Sequence, residues 1–345
     1  MMPVSRSARK ACLSFAAVLF ILLLLAVPVT AGLSFPSGNG GMAVTQPVHR
    51  IILISLDGTR YDTFQQLLSG RKLPFMAGMI REGGIANLTI TDHLTVTAPG
   101  HAEMLTGYGP DITGIYDNYN MSSPIPDGLT VWERLDTARG PEDWYNGAIF
   151  GKARPRDIFG NAAPEIDYWF DLSMWSNPGD LYPGGSSIEG YVIKNETLRF
   201  IDEYSDRDFF LFVHFADPDH NGHAFGEDSH QYKDAIADCD GWIGQILMSL
   251  LKHRIYASTT VLVTTDHGFR EGQKNHMSNP YPGGDPNCYH TFLISNKQSL
   301  DGLSGIQSDT APTIYSLAGV DDTMFSPDFA STSGAMPLRE RGHFP

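Results

Sequence analysis

Four segments, far apart in the chain, each end an apolar run in residue types that bind metal ions. Ile51–Leu56 runs into Asp57-Gly58, Val96 precedes Thr97-Ala98-Pro99-Gly100-His101, Phe209–Phe215 leads to Asp219 and His223, and Val261–Val263 leads to Asp266-His267-Gly268. A lone Asp-Gly after a strand is more often a turn than a ligand. Four such endings, combining carboxylates, imidazoles and one hydroxyl, outline a two-ion site suited to phosphoryl transfer. Two divalent ions a few ångströms apart neutralise the phosphoryl oxygens, favour the nucleophile and steady the leaving oxygen. Zinc takes histidine nitrogen and carboxylate oxygen in roughly tetrahedral sites, and manganese tolerates the same donors.

Such residues need a frame that brings chain-distant ends together. Apolar runs at 50–56, 85–90, 147–150, 209–215 and 260–264 predict strands buried on both faces. Between them, Tyr232, Ala235, Ile236, Cys239, Trp242, Ile243, Ile246, Leu247 and Leu250 recur at helical spacing and predict a helix over 229–253, and a second is expected over 187–204. Alternating strands and helices give an α/β class, a mostly parallel central sheet sandwiched between helices. Ligands gather beyond the carboxyl ends of such strands, where Asp57, Asp219 and Asp266 fall. No repeat or composition shift marks a second domain. Segments 177–187 and 277–287 read as surface excursions, and Ser308–Thr313 opens a terminal helix with a cap-like residue and an early proline.

The order Asp, Thr-x-Pro-x-His, Asp-x-x-x-His, Asp-His-Gly resembles the alkaline phosphatase superfamily, in particular its nucleotide pyrophosphatase/phosphodiesterase-type domain. Its motifs lie nearest the threonine-nucleophile, phosphate-irrepressible alkaline phosphatases. The resemblance spans His49 to Val320 and implies two divalent metals, with zinc expected. By the same resemblance Asp57, Asp266, His267 and the Thr97 oxygen would hold one ion, and Asp219, His223 and a distal histidine the other. That histidine lies before a late edge strand expected at 291–295. His276 is favoured, and His290 is the competitor. His220 is expected behind the ligands rather than among them. Thr97 would be the nucleophile and also opens a helix with Pro99 in its first turn. A sulfatase of this superfamily would carry Cys or Ser with a nearby arginine in that sequence, which this chain lacks. Asn118 matches an asparagine that hydrogen-bonds a phosphoryl oxygen.

Lys152 and Arg154, followed by Tyr168-Trp169-Phe170-Asp171, resemble the pair that grips phosphate in the same phosphatases. The leading expectation is therefore an exported phosphomonoesterase with alkaline phosphatase activity. The alternative is a type I phosphodiesterase or nucleotide pyrophosphatase, and the remote alternative a non-catalytic metal-binding protein on this fold. Expected partners are small phosphate esters.

With 24 Lys+Arg against 39 Asp+Glu, the surface disfavours duplex nucleic acid. Arg6, Arg9 and Lys10 precede an apolar stretch and a small-residue site ending at Ala31, as in a secretory signal peptide; an uncleaved anchor is the competing reading. The expected organisation is a signal peptide at 1–31, a linker at 32–48, a catalytic domain at 49–320 and a tail at 321–345. The destination would be secreted or periplasmic, with no stable membrane span after cleavage. Only Cys239 and Cys288 then remain; an oxidising compartment permits a bridge, whereas the position of Cys239 on an apolar helix face favours a buried thiol.

Overall fold

The strand that carries Asp57, β1 (Arg50–Leu56), is buried along its whole length. Its alternate side chains enter two separate cores. Ile51 and Leu53 pack in the cluster containing Trp132, and Ile52, Ile54 and Leu56 pack in the one containing Trp242. Each such buried side chain contributes roughly 1.5–3 kcal/mol, so the strand end is held firmly from both sides. The continuous apolar run follows from this two-sided burial.

In this computed structural model the described residues are 49–119, 124–140, 142–152, 155–174, 188–280, 283–321 and 339–340. The remaining strands are β2 (Gly84–Thr89), β3 (Trp144–Phe150), β4 (Tyr168–Asp171), β5 (Asp208–Phe215), β6 (Thr259–Thr264), β7 (His290–Ser295), β8 (Gln298–Ser299), β9 (Ser304–Ile306) and β10 (Arg339–Glu340). The α-helices are α1 (Tyr61–Ser69), α2 (Pro74–Glu82), α3 (Thr97–Thr106), α4 (Pro110–Thr113), α5 (Val131–Arg139), α6 (Arg156–Phe159), α7 (Ile188–Tyr204), α8 (Asp217–Phe225), α9 (His230–Lys252), α10 (Pro286–Tyr289) and α11 (Thr310–Leu317).

Eight strands form the central sheet in the order β4-β3-β5-β1-β6-β7-β2-β9, and β8 pairs with β10 in a separate ribbon. β5 and β6 flank β1 in parallel, with Arg50 opposite Phe209 and Thr259, so the three carboxyl ends finish side by side. The expected mostly parallel sheet between helices is what the fold shows, β7 being antiparallel to both its neighbours. That strand departs from expectation in one respect. It was expected at an edge but lies between β6 and β2; a short apolar run carries no information about its neighbours, and its full burial after His290 reflects an interior position.

The long helix expected over 229–253 is α9, capped by Ser229, whose Oγ accepts from Tyr232 N at 3.2 Å. Its Asp240 reaches across to accept the backbone N–H groups of Phe75 and Met76 at the start of α2. The terminal helix opens at Thr310 after a 3₁₀ turn over Gln307–Asp309. Cys239 and Cys288 are both buried free thiols. The signal-peptide and linker expectations for 1–48, Arg154, the excursion at 177–187 and nearly all of the tail lie outside the described residues.

Candidate metal centre

Asp57 follows the end of β1, and its own N–H is donated to Phe215 O at 3.0 Å, which ties it to β5. Gly58 turns the chain away with φ +69°, and a Cβ there would come within 2.7 Å of the Phe269 ring, so this turn requires glycine for conformation and for space. Its N–H is donated to Asp266 Oδ1 at 3.0 Å, joining the turn after β1 to the turn after β6. Asp266 and His267 follow β6 and are fully buried.

Asp219 and His223 lie one helical turn apart on α8, on the same face. His276 comes from the segment after β6, and its Nδ1–H is donated to Thr95 O at 2.7 Å. His223 makes the same kind of bond to Lys274 O at 2.9 Å, and His267 to Gly268 O at 3.0 Å. Each ring is thereby oriented by a backbone carbonyl with Nε2 turned into the site, the arrangement that prepares a histidine to bind a metal.

Two groups result, Asp57 with Asp266 and His267, and Asp219 with His223 and His276, each with its ligand atoms within 4.8 Å of one another. His290 is instead exposed at the start of β7, edge-on to Tyr289, while His276 joins Asp219. His220 pairs with Glu189 at 2.7 Å and belongs to neither group.

The donor atoms fit ions. Asp57 Oδ1, Asp219 Oδ1, Asp266 Oδ2 and His267 Nε2 are buried without a hydrogen-bond partner. Such orphaned groups are costly unless something charged fills the space between them. Two ligand atoms on a tetrahedral ion with bonds of about 2.0–2.1 Å lie about 3.3–3.4 Å apart. Here His267 Nε2 stands 3.5 Å from Asp57 Oδ1 and 3.4 Å from Asp266 Oδ2, and His223 and His276 Nε2 each stand 3.4 Å from Asp219 Oδ1. The His223 and His276 Nε2 atoms face each other at 3.0 Å, a spacing that either a shared metal ion or a proton on one ring relieves.

Thr97 opens α3 beside both groups. Asn118 Oδ1 accepts the Ala98 N–H at 2.8 Å, so this side chain caps the helix start. His101 donates Nδ1–H to Thr97 O at 2.9 Å and lies 3.0 Å from Ser55 Oγ through Nε2. Gly107, at φ +82°, ends the helix in the left-handed conformation. The Lys152 ammonium sits 2.7 Å from Asp57 Oδ2, 2.7 Å from Asp219 Oδ2 and 3.1 Å from Thr97 Oγ1, bridging the two groups next to the hydroxyl.

These contacts set the charge states. Burial works against ionisation of Asp57, but Lys152 and the His214 imidazole outweigh it and hold the carboxyl well below its ordinary range. The Lys152 ammonium is raised by Asp219 and Asp57 against the cost of its own burial. Asp266 is pushed up to about 8 by burial and then by the neighbouring Asp57 charge. Burial lowers His101 to about 4 and His276 to about 3, keeping both neutral. His214, whose Nε2 lies 2.8 Å from Asp57 Oδ2, was not singled out in the sequence. Its signal was there: it is the only polar side chain in the buried run Phe209–Phe215.

Fold and site together define a member of the alkaline phosphatase superfamily. Solved structures share the architecture. A protein described as the putative sulfatase yidJ from Bacteroides fragilis superposes with TM-score 0.60 over 88% of this chain and 80% of its own at 15% identity. Murine ectonucleotide pyrophosphatase/phosphodiesterase 5 superposes with TM-score 0.54 over 79% and 96% at 14% identity. The chain belongs to the type I phosphodiesterase / nucleotide pyrophosphatase family, whose model matches residues 51–281.

Among curated relatives, the rat protein "Ectonucleotide pyrophosphatase/phosphodiesterase family member 7" is 25% identical over 240 residues, covering 67% of this chain and 52% of its own. The mouse "Bis(5'-adenosyl)-triphosphatase enpp4" is 24% identical over 273 residues, covering 75% and 55%. The chain thus spans about half the length of the curated relatives it matches. Among the described residues no helix is long and apolar enough to cross a membrane.

Proposed function

We propose that this chain hydrolyses phosphodiester or pyrophosphate bonds of small substrates through Thr97, the alternative rather than the leading reading of the sequence. Membership of the phosphodiesterase family supports that choice over a monoesterase. The observation that carries it is the cavity beside the nucleophile. About 240 Å³ in volume, it extends from Thr97, Asn118 and Lys152 to walls formed by Phe150, Pro155, Ile158 and Phe159. A monoester needs cations around its phosphate, whereas a diester needs room for a second organic group, and these apolar walls offer room. Phe150 and Phe159 stack with ring centres 5.8 Å apart and are almost wholly buried, so they back the cavity as an apolar wall. The triphosphatase name of the mouse relative is consistent with a nucleotide substrate.

In this reading Asp57, Asp266 and His267 hold one divalent ion, and Asp219, His223 and His276 the other. Zinc is expected from the donor set and spacing. Bound ions would supply the charge that favours a Thr97 alkoxide and steadies the leaving oxygen. Thr97 loses its hydroxyl proton to solvent and its Oγ attacks phosphorus. The bond to the leaving group breaks, and water then cleaves the phosphothreonine to release a monoester and restore the hydroxyl. The amino end of α3 favours the phosphoryl charge, and Asn118 and His101 hold that end in shape. Lys152, already beside Thr97 Oγ1, neutralises a phosphoryl oxygen. Export through a signal peptide at 1–31 belongs to the same proposal, and amino-terminal sequencing of the secreted protein tests it by starting at Gly32.

The deciding experiment compares bis-p-nitrophenyl phosphate with p-nitrophenyl phosphate on the zinc-loaded protein. A diester preference of about tenfold or more in kcat/KM, some 1.4 kcal/mol in transition-state stabilisation, is expected. The reverse preference would return the monoesterase reading.

A further inference from the structure

A third group of ligand-type side chains, Asp92, His93 and Glu103, lies apart from the two described above, its ligand atoms again within 4.8 Å of one another. Glu103 is 1% exposed, and neither of its carboxylate oxygens has a hydrogen-bond partner. His93, also buried, lies 2.6 Å from Leu94 O through Nδ1 and donates that N–H. Its Nε2 faces oxygen on two sides, Glu103 Oε2 at 2.8 Å and Gln307 Oε1 at 2.9 Å. Gln307 cannot relieve this crowding by turning its amide, because its nitrogen is committed to Asp266 O at 2.9 Å and Thr265 O at 3.4 Å.

A buried carboxylate whose close neighbour is a ring nitrogen shared with an amide oxygen is short of positive charge, which a cation would supply. A second proton on His93, 2.8 Å from Glu103 Oε2, is the competing source of positive charge. The spacing also differs from that of the main site. Neighbouring ligands on an octahedral ion with bonds of about 2.0–2.1 Å lie about 2.9 Å apart, and the separations here are 2.8 and 2.9 Å. Three oxygen donors with one nitrogen suit a hard ion better than zinc.

Access and room are built in. A cavity of about 370 Å³ is lined by Asp92 and His93. A Cβ on Gly109 would come within 2.1 Å of Asp92 Oδ2, so the carboxylate occupies the space that a side chain would fill.

We propose that Asp92, His93, Glu103 and the Gln307 carbonyl oxygen form a third divalent-cation site, taking Mn²⁺ or Mg²⁺, behind the main centre. Through Gln307 it braces the backbone carbonyl of Asp266. The inference concerns ion binding alone and stands whether or not the activity proposed above is correct.

The test uses the full chain, stripped of metal, loaded with zinc and titrated with Mn²⁺. Bound metal is counted by plasma mass spectrometry after gel filtration and followed by Mn²⁺ electron paramagnetic resonance. The wild type is expected to take up one Mn²⁺ per chain beyond its zinc. Glu103→Gln and Gly109→Ala should keep the zinc and lose the Mn²⁺, the second without removing any ligand. Asp92→Asn, at a solvent-exposed position, should weaken Mn²⁺ binding about tenfold or more and guards against misfolding of the Glu103 variant. A wild type that takes up no extra ion, or variants that bind Mn²⁺ as tightly as the wild type, would overturn the proposal and assign the charge to a proton on His93.

Discussion

Asp57, Asp266 and His267 stand at the ends of adjacent parallel strands, whereas Asp219, His223 and His276 come from a helix and a segment that passes over it. All three members of the first group are fully buried and stitched together through the Gly58 N–H. In the second group the His223 side chain is 45% exposed against 7% for His276. The same donor chemistry thus rests on two kinds of support. The sheet fixes one group through two packed cores, while the other depends on α8 and two backbone carbonyls. The strand-held group should therefore keep its ion longer and respond more severely to a change of ligand.

Asp57→Asn should show the largest effect of that difference. It removes a carboxylate shared with Lys152 and His214, and kcat/KM should fall by about 10³-fold or more with one zinc lost per chain; zinc counting alongside the rates checks it. His223→Ala should cost less, on the order of 10²-fold, and should recover partly at high zinc because that position opens to solvent. Equal, unrecoverable losses in both variants would erase the contrast. His214→Gln should lower activity or zinc affinity about 10–100-fold by loosening Asp57 without removing a ligand, an effect that a zinc-competition assay separates from misfolding.

The smallest effect concerns pH. His101 is lowered from 6.5 to about 4 in the folded chain. Across that window the unfolded state binds more protons, so the stability contributed by neutral His101 is present above pH 6.5 and lost as pH falls towards 4. The difference in unfolding free energy between wild type and His101→Gln, measured without metal, should shrink over that range by on the order of 3 kcal/mol at most. A pH-independent difference would show that His101 acts only by packing.

The first group was more legible in the sequence than the second for a physical reason. Strands buried on both faces write themselves as apolar runs; Asp57 follows directly after one, and Asp266 comes two residues after the end of β6, whose centre is Val261–Val263. His276 follows no such run, and what separates it from His290 is tertiary: its bond to Thr95 O and its place beside Asp219. His214 was hidden because strand periodicity shows which face a residue takes and not what it meets there. Asp92, His93 and Glu103 straddle a loop and a helix, with Gln307 far along the chain, so no spacing rule joins them. Sheet order was likewise invisible, which is why β7 was expected at an edge. The strand β4, only Tyr168–Asp171, is too short to announce itself by pattern.

The most direct test of the central claim, a threonine nucleophile between two metal ions, is turnover of bis-p-nitrophenyl phosphate by zinc-loaded Thr97→Ala with its zinc content measured in the same sample. Activity should fall by about 10³-fold or more with both zinc ions retained. Turnover near the wild-type rate would contradict it.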